Sequence, residues 1–183
     1  MNLIERLAPF GRLLRDQRSG FAALEFALVL PLMMALYFGT AELVQAVVAD
    51  GLVAQASATV TNIVAQYTTI SASTQMPDVL SASSQILAAN PGVQGGIVVS
   101  CIAIDSSGKA TVSWSQALNA TPRTTGQVMA LPANLDVPNT TLIHGEAAYA
   151  LTPSVDFLSL APFHLSSSIY MSPRNATTIN LVP

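Results

Sequence analysis

Apolar and polar positions along the chain change period twice, and each change marks a different kind of element. From Phe21 to Ala41 the residues are almost all apolar, a run whose helix would span about 31 Å and so match the hydrocarbon core of a bilayer. Beyond Glu42 the run becomes periodic. Val44, Val47, Val48, Gly51, Ala56, Val60, Ile63 and Tyr67 recur at spacings near three and four, while Gln55, Thr59, Asn62 and Gln66 form a polar stripe. The pattern predicts one helix from Phe21 to about Gln66, the first half in lipid and the second lying on a folded domain through Val44, Val47, Val60 and Ile63. Pro31 removes a backbone donor within the membrane half and is expected to kink or open the helix there.

After a Ser/Thr-rich break from Thr68 to Pro77, a short helix is expected from Asp78 to about Ala89, with Val79, Leu80, Ile86 and Leu87 on one side and Asn90-Pro-Gly as its stop. The period then drops to two. Ile97–Ile104 and Ala110–Gln116 flank Asp105-Ser-Ser-Gly-Lys109 and read as a hairpin, with Val112 and Trp114 on one face. Leu118 to Pro138 is Pro-broken and reads as irregular apart from one turn of helix at Gly126–Leu131. Strands at Thr140–Leu151 and Phe163–Met171 complete the set. The second half of the helix needs an apolar cover, and a sheet with one apolar face supplies it, so the expected fold class is α+β: a long N-terminal helix packed on a small antiparallel sheet.

Charge divides the chain at residue 20. Arg6, Arg12, Arg15 and Arg18 precede the apolar run, and only Lys109, Arg123 and Arg174 follow it. The positive-inside rule then places the N-terminus in the cytoplasm and the C-terminal part across the membrane. The first twenty residues carry those four Arg against Glu5 and Asp16, so their removal would take the net charge from −3 to −5. With 183 residues, 51% of them hydrophobic and 9% charged, the chain suffices for one membrane helix and one modest domain. Nothing in it points to nucleic acid. The apolar run is longer than a secretory signal core, and no small-x-small site closes it before Glu42, so it reads as a retained anchor.

Glu25 is the exception inside that anchor. A charge at a helix centre costs roughly 2.5–3.5 kcal/mol in the membrane, less near an end, so an acid there marks function. If the chain were cut between Gly20 and Phe21, Glu25 would be fifth in the mature protein, one turn from a new α-amine able to neutralise it on the same or a neighbouring chain. An uncut signal anchor with an accidental Glu is the bland alternative, disfavoured because Gly20, Glu25, Phe26 and the Arg-rich leader occur in register.

This constellation resembles the type IV pilin superfamily, with its basic leader ending in Gly, its Glu at the fifth mature position and an adjacent aromatic, here Phe26. Within the superfamily, Gly20-Phe-Ala-Ala-Leu-Glu-Phe-Ala-Leu-Val-Leu-Pro and the Gly39…Glu42 ending resemble the TadE-like pseudopilins of tight-adherence (Flp) pilus systems. Tyr170-Met-Ser-Pro-Arg174 is similar to the aromatic…Pro-Arg ending of such domains. The resemblance implies a pilin-like lollipop: 1–20 a cleaved cytoplasmic leader, 21–41 a transmembrane helix, and 42–183 a periplasmic domain. It implies processing at Gly20/Phe21 by a prepilin peptidase, and assembly contacts through Glu25 and Phe26. The implied partners are other pilins or pseudopilins, an inner-membrane assembly platform and membrane lipid. The function it implies is that of a minor pilin. A pilus-displayed adhesin and a stationary inner-membrane scaffold are the alternatives, the former because long loops such as Leu118–Pro138 are where binding residues sit.

Little speaks for an enzyme. His144 and His164 are far apart in strand patterns, and no nucleophile, zinc or phosphate-loop motif is present. No cofactor is called for. Asp105-Ser-Ser-Gly is a hairpin turn rather than a calcium loop. The acids after Asp50 show no close pairing, and Glu146 stands out because apolar residues flank it. Cys101 is the sole cysteine, which excludes an intrachain disulfide and reads as a small buried residue in a strand.

Overall fold

The computed structural model describes residues 17–88, 95–152 and 163–183. The leader up to Asp16, the Asn90-Pro-Gly stop and most of 152–162 lie outside the described residues. Helix α1 spans Gln17–Val64 and passes through Pro31 without interruption. Strand β1 (Thr69–Ser71) and helix α2 (Gln75–Leu87) follow, then β2 (Gly96–Ile104), β3 (Ala110–Leu118), β4 (Thr141–Leu151), β5 (Phe163–Met171) and β6 (Asn180–Val182). The fold is α+β: a long N-terminal apolar helix with an antiparallel four-stranded sheet in the order β3-β2-β4-β5.

The helix divides by burial rather than by composition. Ala49, Val53, Ala56, Val60 and Val64 are fully buried at spacings of four and three, and they join Ile97, Val99, Cys101, Ile143, Ala147 and Tyr149 of the sheet in the main core. Helix α2 closes this core with Met76, Val79, Leu80 and Leu87. The expected contact face is corrected in its upper part. Val44 and Val47 are 62% and 65% exposed, and Leu43 and Val48 stand out beside them. The reason is close approach. The buried face of α1 is built from small residues, including Ser57 and Thr61, and Thr61 Oγ1 donates back to Ser57 O at 2.6 Å. Upstream of Ala49 the larger valines turn away from the core.

A β-bulge corrects the hairpin. Cys101 pairs with Trp114 but Ile102 pairs with Val112, so the register shifts between them. Directly opposed residues share a face and consecutive ones do not, which puts Trp114 toward the helices and Val112 on the other side. The turn itself follows expectation. Asp105 Oδ1 accepts from the Ser107 N–H (2.8 Å), the Ser107 hydroxyl (2.6 Å) and the Lys109 N–H (3.0 Å), and Gly108 takes φ +82°. These bonds hold the Asp105 carboxyl below its usual range, the Ser107 hydroxyl most of all.

Three boundaries differ from the pattern. Helix α2 begins at Gln75, since Pro77 falls in the first turn where a missing N–H costs nothing. The expected turn of helix at Gly126–Leu131 is extended instead: the Val112 N–H donates to Gln127 O at 2.9 Å, the Gly126 N–H to Val112 O at 2.7 Å and the Met129 N–H to Ala110 O at 3.0 Å, and Thr111 bridges Val128. Its Met129, Leu131 and Leu135 cover Ile102, Ile104, Ala110 and Leu142 in a second, smaller core on the outer face of the sheet. Finally, the break after α1 contains β1, which pairs in parallel with β6.

The C-terminal segment clamps the end of α1. The Arg174 N–H donates to Ala65 O at 2.8 Å and the Asn175 amide to Gln66 O at 2.7 Å, satisfying carbonyls that a helix end leaves open. Trp114 Nε1 donates to Ile179 O at 2.7 Å within the core.

Candidate functional site

Two regions carry chemistry. The first is the exposed half of α1, where Gly20, Phe21, Glu25, Phe26 and Pro31 lie on one continuous helix. Phe21 and Glu25 are one turn apart on the same side of the helix. Leu24, Phe26, Leu28, Leu32, Met33 and Leu36 project outward all round, and no neighbouring element among the described residues covers them. Open space surrounds Gly20, and nothing lies within 4 Å of where a Cβ would stand. The helix is long and apolar enough to cross a membrane. A helix apolar on every side needs lipid or other helices around it.

The second region is the outer face of the sheet, beside the loop from Asn119 to Ala130. Arg123 grips the Glu146 carboxylate with both arms: Nε donates to Oε2 at 2.8 Å and Nη2 to Oε1 at 2.6 Å. This bidentate geometry is the strongest form of such a pair. The Arg123 N–H also donates to Ser115 Oγ at 3.0 Å, and Ser115 Oγ lies 2.9 Å from Ser100 Oγ. His144 sits beside them, 3% exposed, its ring stacked on Tyr170 with centroids 4.2 Å apart and planes 7° from parallel. Its Nδ1 lies 3.5 Å from Glu146 Oε2, and neither ring nitrogen has a hydrogen-bond partner.

Burial pushes the His144 imidazole below its ordinary range. Glu146 opposes that shift and Arg123 adds to it. Tyr170 is pushed up by burial first and by Glu146 second, and the bond to Glu146 raises Arg123. Burial thus favours the neutral imidazole. An open cleft of about 430 Å³ runs past Arg123, Gln127, His144, Glu146, Ser168 and Tyr170.

Sequence reasoning singled out Glu146 from its apolar neighbours, but not its partner. Arg123 comes from a segment 23 residues away, and no local spacing signals the pair. His144 is buried, yet without the hydrogen bonds a structural histidine ordinarily has. His164 is exposed at the far end of β5. Among the described residues no group of three or more His, Cys, Asp or Glu side chains could hold a metal.

Comparison with known proteins bears on the first region. No curated protein and no solved structure matches the chain. Residues 20–61 match the model of the family described as TadE-like protein. That match begins at Gly20, takes in Phe21, Glu25, Phe26 and Pro31, and ends where α1 is already packed on the sheet. Over the apolar helix and its first buried turns, the chain is similar to TadE-like proteins.

Proposed function

We propose that this protein is a minor pilin-like subunit of a tight-adherence pilus, anchored in the inner membrane by α1, trimmed between Gly20 and Phe21 by a prepilin peptidase, and built into a filament start or tip. One observation carries the reading: the TadE-like match falls on a helix whose first half is apolar and exposed all round, interrupted by Glu25, while its second half is the spine of a folded domain. Such a helix can pass from lipid into a bundle of like helices without disturbing the domain it carries. The family match supports involvement in a tight-adherence pilus system, and the basic leader supports a cytoplasmic N-terminus.

In this reading the freed Phe21 ammonium and the Glu25 carboxylate neutralise each other within a chain or between neighbours, because each is costly alone in lipid or a packed bundle. Pairing between neighbours rewards one axial stagger of the helices and penalises the others. Pro31 gives the helix a place to bend as it leaves the bilayer.

The test is N-terminal sequencing together with Glu25→Gln. The mature chain from native membranes should begin at Phe21. Glu25→Gln should insert and be cleaved normally while surface pili are lost. A mature protein that begins at Met1 or Asn2 despite an active peptidase, or normal piliation in the variant, would overturn the assignment.

A further inference from the structure

His144 is enclosed in a place that suits a neutral ring and no other. Both nitrogens are buried without partners, one ring face is covered by Tyr170, and the nearest carboxylate oxygen, 3.5 Å away, is already held by Arg123. An unmet buried polar atom costs roughly 1–3 kcal/mol, and a buried charge without a partner costs more. The groups that face the ring are Glu146 from its own strand, Tyr170 from β5, Arg123 from the covering segment and the uncharged Ser100 from β2. Helices α1 and α2 pack on the opposite face of the sheet.

Arg123 also ties down the first part of the covering segment. Its side chain reaches Glu146 and its backbone N–H reaches Ser115, with the bonds around Gly126 and Gln127 to Val112 holding the other end. We propose that Arg123, Glu146 and His144 form an acid-sensitive latch that holds residues 119–130 against the outer face of the sheet at neutral pH and releases them in acid. A proton on His144 creates a second cation beside a single carboxylate. Glu146 then either turns from Arg123 to the imidazolium or leaves it unpaired next to a guanidinium. Both outcomes loosen the grip on the segment. Because the nitrogens have no access to water while the segment is closed, the proton enters when it lifts, and the open form is the one that acid stabilises.

Hydrogen exchange on the full chain in detergent micelles tests this, at about pH 7.5 and about pH 5, with rates corrected for the intrinsic pH dependence of exchange. Opening that frees an imidazole of ordinary pKa is favoured by up to about thirtyfold between those values. Protection of amides in 119–130 should fall by a factor approaching that, while amides of residues 53–64 in α1 keep theirs. His144→Phe keeps a stacked ring but cannot titrate, so its segment should be equally protected at both pH values. Arg123→Met should be loose at both. Unchanged protection in the wild type, or the same acid loss in His144→Phe, would overturn the proposal. If His144→Phe does not fold, NMR titration of the wild-type ring decides: His144 should titrate in step with the lost protection, and a ring that takes up its proton while the segment stays protected would equally overturn it.

Discussion

Gly145 on β4 lies directly beneath Thr61 on α1, and the absence of a side chain on the one makes room for the hydroxyl of the other. A Cβ at Gly145 would overlap Thr61 Oγ1 and stand 2.9 Å from Ser57 O, which belongs to the helix backbone and cannot swing away. Ser57 Oγ adds a contact at 3.2 Å to Ser167 Oγ on β5, so helix and sheet meet here through small polar groups. Gly145→Ala should therefore force the helix off the sheet and cost about 1–3 kcal/mol, the usual penalty of overpacking. Denaturant unfolding of the detergent-solubilised protein measures it. Stability within about 0.5 kcal/mol of wild type would show that the helix is not seated as closely as the geometry indicates.

The two halves of α1 should respond differently to substitution. Val47 is exposed and Val53 fully buried. A fragment of residues 42–183 retains every residue of the main core and should unfold cooperatively, with a mixed helix and sheet circular dichroism spectrum. In that fragment Val53→Ala should cost roughly 1.5–3 kcal/mol for lost methyls and the cavity left behind, while Val47→Ser should change stability by less than about 0.5 kcal/mol and reduce self-association. An all-helical spectrum would contradict the fold.

Cys101 is fully buried among core residues, and burial pushes its thiol up to about 11 despite opposing contacts with Ile179 and Thr178. The thiolate is the reactive form, so iodoacetamide should modify Cys101 only as fast as the protein opens. The linkage has a definite sign: a pKa raised on folding stabilises the native state below the unfolded thiol's pKa, and that contribution is lost as pH rises toward 11. Stability should fall over that alkaline range less steeply in Cys101→Ala than in the wild type. Rapid alkylation under native conditions at neutral pH would show that the thiol is accessible.

Trp114 is the single tryptophan, and its indole N–H is held by the Ile179 carbonyl. Its fluorescence therefore reports on the C-terminal clamp. Removing residues 176–183 would delete β6, strip β1 of its partner and open one side of the indole. The emission should shift to the red and the unfolding midpoint should drop. Trp114→Phe should cost about 1–3 kcal/mol, since the Ile179 carbonyl would be buried without a donor. An unshifted emission in the truncated chain would mean that the tail is not part of the core.

The anchor helix, its exceptional Glu25, the four sheet strands and the hairpin turn at Asp105 were all legible from the order of residues, because each depends on local spacing. About twenty residues almost all apolar, alternation of period two, and an Asp before Ser-Ser-Gly state their structure within a few positions. Cys101 was legible for the same reason, as a small apolar residue inside an alternating strand. The lower part of the buried face of α1, with Ala56, Val60 and Ile63, was legible too, but its upper part was not. Between Val53, Val60 and Val64 the face is lined by Ala49, Ala56, Ser57 and Thr61, which fit closely against Gly145 and Ser167, whereas the apolar period alone extends the face up to Val44 and Val47. Opposite faces for Val112 and Trp114 required a bulge that is a property of two strands in register. The short β1–β6 pair joins segments more than a hundred residues apart, and the meeting of Arg123 with Glu146 and His144 depends on how a loop crosses a sheet. Local patterns set which elements form, because backbone hydrogen bonding and side-chain period act within a few residues. Tertiary structure alone decides which faces touch and which charges meet, because those depend on distances between parts of the chain that sequence order leaves free.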